Sequence, residues 1–226
     1  MLGTRTRQAI PNALTLARFA LTAVFVVIVT LAPEERAGLA RTCLIAAGLF
    51  VVAAITDALD GFLARRWNVI STFGRVMDPV ADKVLVIGAL ILLAGPTFRV
   101  EGPGGAYQVS GVEAWMVVVV LARELVVTSI RAVLESQGTK FGADAAGKAK
   151  MVLQSVVTPL VLVLIGVAWP EPGTWGRWIV LVGVWAMVLA TLVSGLPYLV
   201  RATRTGRLSG GSEERRTGGT PVPPNT

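Results

Sequence analysis

Six stretches of the chain are apolar over roughly twenty residues each, running over about 13–32, 38–57, 77–96, 113–134, 151–169 and 178–200. The first five are each followed by a chemically distinct break: "APEERAG", a run rich in aspartate, the Gly/Pro-rich "GPTFRVEGPGGAYQVSG", "ESQGTKFGADAAGK" and "WPEPGTWGR". About twenty apolar residues is the length a bilayer-spanning helix needs. The pattern therefore predicts an all-α integral membrane protein with six transmembrane helices. Arg5 and Arg7 precede the first run, as in a secretory signal, but the run is too long for the apolar core of one and further spans follow. We expect it to be retained.

Composition agrees: 54% of the 226 residues are hydrophobic and 15% charged, with a mean hydropathy of +0.67. Six spans place both termini on one side. Arg5, Arg7, Arg65, Arg66, Arg75, Lys83, Lys140, Lys148, Lys150, Arg201, Arg204 and Arg207 fall on that side, against Arg36, Arg41, Arg99 and Arg177 opposite. By the positive-inside rule the termini and the aspartate run face the cytoplasm of a multi-pass inner (plasma) membrane protein. Trp169, Trp175 and Trp178 cluster on the other face, where an interfacial aromatic belt is expected. The basic face needs no partner beyond anionic lipid, and no nucleic acid is expected. Residues 1–204 form the membrane domain, and 205–226, rich in Gly, Ser, Thr, Pro and charge, form a disordered cytoplasmic tail.

The chain has no histidine, so proton chemistry falls to carboxylates and a metal site has to be built from oxygen. The single cysteine, Cys43, lies in an apolar run and has no intrachain partner. Between the second and third spans stand Asp57, Asp60, Asp78 and Asp82. Spacings of three and four put each pair on one helix face, one pair closing a span and the other opening the next. Four like charges at the edge of a low-dielectric slab repel, and a bound dication removes that penalty. Oxygen ligation favours Mg²⁺ or Mn²⁺, and four carboxylates suffice to bridge two ions. The alternative is pairing of these aspartates with Arg65, Arg66, Arg75 and Lys83 in a solvated loop. Gly61 and Gly74 leave room for a ligand to approach the backbone, and Arg65 can donate to phosphate oxygens. Metal, arginine and bare backbone together suggest phosphate chemistry.

Taken as a set, Asp57-x-x-Asp60-Gly61-x-x-Ala64-Arg65, eight residues, then Gly74-x-x-x-Asp78-x-x-x-Asp82 resembles the signature of the CDP-alcohol phosphotransferases, with every fixed position filled. The resemblance implies a six-helix membrane domain with a polar metal site at the cytoplasmic face, and displacement of CMP from a CDP-linked donor by an alcohol. It implies metal ligation by Asp57, Asp60 and Asp78, with Asp82 as the base that takes the hydroxyl proton and a further metal contact. Gly61, Arg65 and Ser71 would meet the CDP moiety. "PNALTLAR", "RVMDPVADKVL", "ARELVVTSIR" and "GKAKMVLQ" are similar to the phosphatidylglycerophosphate synthase branch of that family. There Asn12 and Thr15 would belong to the donor site; Met151 departs from that branch, where threonine is expected. A homodimer is also suggested by the resemblance.

The acceptor in that branch, glycerol 3-phosphate, is a dianion and needs a basic pocket, for which Arg123, Arg131 and Lys148 are candidates beside a cytoplasmic connection. The alternatives are a pair between Arg123 and neighbouring Glu124, and an interfacial anchor for Lys148. Other acceptors share the same donor site: phosphatidylglycerol, giving cardiolipin, or inositol phosphate, giving phosphatidylinositol phosphate. A divalent-cation transporter would also use intramembrane carboxylates, but it gives no task to Gly61, Ala64, Arg65 and Gly74.

Overall fold

The computed structural model describes residues 4–67, 72–102, 104–136, 145–198 and 200. Its order is α1 (Thr4–Thr30), α2 (Arg36–Trp67), α3 (Thr72–Leu93), a short 3-10 turn at Pro96–Phe98, β1 (Arg99–Gly102), β2 (Gly105–Gln108), α4 (Ala114–Ser136), α5 (Ala145–Val167) and α6 (Trp175–Val193). Each of the six apolar runs lies on one of the six helices.

Burial along α2 shows how the helices are used. Leu39, Cys43, Ala46, Ala47, Phe50 and Ala53 form one buried stripe at helical spacing, whereas Leu44, Ile45, Val51, Val52 and Ile55 on the other faces are exposed. A helix apolar all round, with small residues on its packed side, suits a lipid environment outside and close neighbours inside. Helix α1 packs on α2 and α3, α2 on α5, and α5 on α6. Phe25 of α1 meets Phe50 of α2 edge to face, with ring centroids 6.1 Å apart. Gly166 brings α5 against α2 so closely that a Cβ there would lie 2.5 Å from Leu44 Cγ.

Four helices, α1, α2, α5 and α6, are long and apolar enough to cross a membrane among the described residues. The other two expected spans depart for a visible reason. In α3 the apolar part among the described residues is Lys83–Leu93, and Arg75, Asp78 and Asp82 occupy the first half of the helix. In α4 the charged residues Arg123, Glu124 and Arg131 interrupt the apolar run.

The Gly/Pro-rich break after α3 is also more ordered than an all-α reading expects. It forms an antiparallel hairpin that pairs Arg99 with Gln108 and Gly102 with Gly105. Gly105 takes φ +101°, a conformation glycine supplies without strain. The segment then closes α3: Gln108 Nε2 donates to the carbonyls of Leu93 and Gly95 at 2.8 and 3.0 Å, and Ser110 Oγ donates to Leu93 O at 2.6 Å. Leu93 O is one of the carbonyls that a helix end leaves without an intrahelical partner.

The same end of the bundle holds the residues expected opposite the aspartates. Arg36 pairs with Glu171 at 2.8 Å and lies 4.8 Å from the ring centroid of Trp169. Arg177 donates to Gln108 O at 2.6 Å and stacks over Tyr107. Burial, and then the Glu171 carboxylate, push the Tyr107 phenol above its ordinary range, so Arg177 meets a neutral ring. Trp175 and Trp178 are exposed as a belt requires, but Trp169 is buried beneath Arg36, with a positive φ of 39°. It is a packing residue of this cap.

Candidate active site

Helix α2 does not stop where its apolar run ends. At 1.5 Å per residue its 32 residues span about 48 Å, against a hydrocarbon thickness of about 30 Å. The last third is a more polar extension of the same helix, and Asp57, Asp60, Gly61 and Arg65 lie on it among Leu59, Phe62 and Leu63. Helix α3 begins at Thr72 and carries Gly74, Asp78 and Asp82 in its first turns. The helical spacing read from the aspartates is thus realised on both sides of the connection, which lies outside the described residues together with Ser71. The side chains of Asn12, Asp60, Arg65, Asp78 and Asp82 are outside them as well.

Asp57 is the described carboxylate of the four. It makes an ion pair with Arg18 of α1, the last residue of "PNALTLAR". The Arg18 side chain is 1% exposed and that of Asp57 36%, so a buried guanidinium from α1 reaches a carboxylate at the rim of α2. Thr15, one turn before Arg18, is also buried, and Thr22 Oγ1 donates to Arg18 O at 2.8 Å. A polar stripe on α1 therefore turns inward toward the aspartate end of α2. Arg18 was legible in the sequence only as the end of a motif.

A second polar cluster joins α4, α5 and α6. Arg123 Nη1 donates to Glu124 Oε1 at 2.9 Å, and Arg123 Nη2 donates to Ser194 Oγ at 2.7 Å. Lys150 of α5 bonds the same Glu124 oxygen. Ser194 Oγ in turn donates to Thr191 O at 2.9 Å, and Gln154 Nε2 donates to Thr191 Oγ1 at 3.3 Å. The Arg123–Glu124 pair considered from the sequence is present, while Lys150 and Ser194 were not anticipated as its partners. Arg131 lies on α4 two turns beyond Arg123 and Lys148 on α5 two residues before Lys150; both are exposed.

The two clusters are connected. Lys83, the residue after Asp82, donates from Nζ to Thr128 Oγ1 at 2.6 Å, and Thr128 stands one helical turn beyond Glu124 on α4. The aspartate segment of α3 is thereby tied to the basic segment of α4.

The donor set fits a hard dication. It consists of carboxylates on two consecutive helices, with no imidazole in the chain and with Cys43 buried elsewhere in α2. Among the described residues no group of three or more metal-ligating side chains is assembled.

Residues 8–195 match the family model for CDP-alcohol phosphatidyltransferase, which covers most of the chain, and the protein belongs to that family. Named relatives agree. The chain is 33% identical over 204 residues to a CDP-diacylglycerol–glycerol-3-phosphate 3-phosphatidyltransferase of Bacillus subtilis, covering 84% of this chain and 92% of that one. Proteins of the same name from Rickettsia bellii and Salmonella paratyphi A are each 32% identical, over 84% and 85% of this chain and 93% and 94% of theirs.

Proposed function

We propose that the protein transfers the phosphatidyl group of CDP-diacylglycerol to glycerol 3-phosphate, forming phosphatidylglycerophosphate and releasing CMP. The observation that carries this reading is the complete eight-position motif on the consecutive helices α2 and α3, with Lys83 of α3 bonded to Thr128 in the basic segment of α4. The names of the relatives support the choice of acceptor.

Asp57, Asp60, Asp78 and Asp82 would hold Mg²⁺ or Mn²⁺, two ions in our reading. Bound there, the metal neutralises the pyrophosphate of the donor and draws charge from the phosphorus under attack. Gly61 leaves the backbone open to the CDP moiety, and Arg65 and Ser71, with Asn12 and Thr15 from α1, bind its polar groups. A hydroxyl of glycerol 3-phosphate forms the new P–O bond as the phosphoanhydride P–O bond to CMP breaks, and its proton passes to Asp82. Arg123, Arg131 and Lys148 supply the cationic surroundings that the acceptor dianion needs. Arg18 fixes Asp57 in place.

The reaction faces the cytoplasm in this account, where both substrates' polar parts are reached, with the termini on that side and residues 205–226 as a tail. The protein works in the inner membrane as a multi-pass enzyme, and we expect a homodimer. Purified protein given labelled CDP-diacylglycerol and metal should yield lipid product and CMP with glycerol 3-phosphate, and none with phosphatidylglycerol or inositol phosphate. Product from another acceptor alone would move the assignment within the family. Mn²⁺ transport in liposomes without CMP release would overturn the enzyme reading.

A further inference from the structure

Glu124 presents a physical puzzle if Arg123 serves an anionic acceptor. A carboxylate beside an anion-binding guanidinium lowers the local potential and opposes the ligand. Yet Glu124 is buried against Arg123, with side-chain exposures of 9% and 11%. On a helix, side chains one residue apart do not normally face each other, so this contact requires the two side chains to turn toward each other.

The surrounding bonds resolve the puzzle. Lys150, itself buried, meets the same oxygen of Glu124 that accepts from Arg123. The carboxylate charge is thus shared with a cation from α5, and Glu124 can hold Arg123 while opposing an incoming dianion much less. Arg123 has few other constraints. Its Nε is buried without a hydrogen-bond partner among the described residues, so Glu124 on Nη1 and Ser194 on Nη2 orient the guanidinium. Its stem passes against Gly195, where a Cβ would lie 3.3 Å from Nε and 3.4 Å from Cγ. Glycine at 195 leaves the space that the Arg123 side chain occupies.

We propose that Glu124 is a positioning residue for acceptor recognition: braced by Lys150, it fixes the Arg123 guanidinium in the orientation that receives the phosphate of the acceptor. The inference rests on the reading that this family member uses glycerol 3-phosphate and that Arg123 meets it.

A purely electrostatic role and a positioning role predict opposite signs. Removing a negative charge beside an anion site lowers the KM for glycerol 3-phosphate, whereas releasing Arg123 raises it. We expect Glu124→Gln, which leaves Arg123 only a neutral amide oxygen to donate to, to raise the KM for glycerol 3-phosphate by about fivefold to tenfold, the scale on which a hydrogen bond to a charged acceptor exceeds one to a neutral acceptor. The KM for CDP-diacylglycerol should stay within about twofold. Glu124→Asp, which keeps the charge and shortens the reach, should fall between the two. Should Glu124→Gln fail to fold with two buried cations facing each other, the double variant Glu124→Gln/Lys150→Met removes one charge of each sign. The same selective rise in acceptor KM is expected of it. An acceptor KM that is unchanged or lower in the folded variant, or equal increases for both substrates, would overturn the positioning role. A wild-type protein that makes no product from glycerol 3-phosphate would sink the acceptor reading, and this inference with it. Normal wild-type turnover beside an indifferent Glu124→Gln enzyme would sink this inference alone.

Discussion

Substituting Gly166 with valine puts the packing of α2 on α5 to a quantitative test. A Cβ at this position would sit 2.5 and 2.6 Å from Leu44 Cγ and Cδ2 and 3.0 Å from the carbonyl oxygen of Ala40. Carbon atoms in ordinary contact lie about 3.5–4.0 Å apart, so the shortfall is about 1 Å. Leu44 faces outward and can swing aside, but Ala40 O belongs to the backbone of α2 and cannot move without the helix. A single methyl, in Gly166→Ala, should therefore cost about 1 kcal/mol, and the branched side chain of Gly166→Val about 3 kcal/mol, the upper end of the usual range for overpacking. For a chain of this size that corresponds to a fall in Tm of about 6–12 °C for valine. Thermal unfolding of detergent-solubilised protein, followed by tryptophan fluorescence, reads the shift. Leu44 is thirteen residues from Asp57, about 20 Å along α2, so transfer by the protein that remains folded at low temperature should stay within about twofold of wild type. A valine variant melting within 2 °C of wild type would mean that α2 and α5 are not packed this closely.

Three further outcomes test the proposed site and the packing around it. Asp82→Asn should abolish turnover while the protein still inserts and melts normally; activity within a few-fold of wild type would remove Asp82 from the base role. Arg131→Ala should raise the KM for glycerol 3-phosphate more than that for CDP-diacylglycerol, and an unchanged acceptor KM would make this arginine purely structural. Arg36→Ala removes the half of the hairpin-side cap that stacks on Trp169 and pairs with Glu171; it should cost about 1 kcal/mol in a melting experiment and leave both KM values unchanged. A loss of activity there would show that the two ends of the bundle are coupled.

What could be read from the chain without its fold depended on whether a feature was local. All six helices were visible because each leaves an apolar run, and the aspartates announced helical ends through their spacings of three and four. The end of α2 was less legible. The continuous apolar run stops near Ile55, yet the helix continues to Trp67, because Asp57, Asp60, Arg65 and Arg66 break up the Leu59, Phe62 and Leu63 positions that would otherwise mark a stripe. The hairpin was missed because each of its strands has four residues, too few for alternation to stand out from a Gly/Pro-rich loop. Trp169 was placed in a belt by composition, and only the approach of Arg36 shows why it is buried. The long-range pairs were beyond local pattern altogether. Nothing in "TLAR" says that Arg18 reaches Asp57, and Glu124 and Lys150 stand twenty-six residues apart on different helices. The short-range pair Arg123–Glu124 could be considered from the sequence; the cation that makes it compatible with anion binding could not.

The central claim is that carboxylates from the ends of α2 and α3 jointly hold a divalent ion on which transfer depends. Mn²⁺ binding to chelator-treated protein, measured by electron paramagnetic resonance in the same samples used for CMP release, addresses it directly. The account predicts no turnover after chelation and recovery in step with Mn²⁺ binding, with tight binding lost in both Asp57→Asn and Asp78→Asn. Turnover that persists in the chelated enzyme, or wild-type Mn²⁺ binding in both variants, would contradict it.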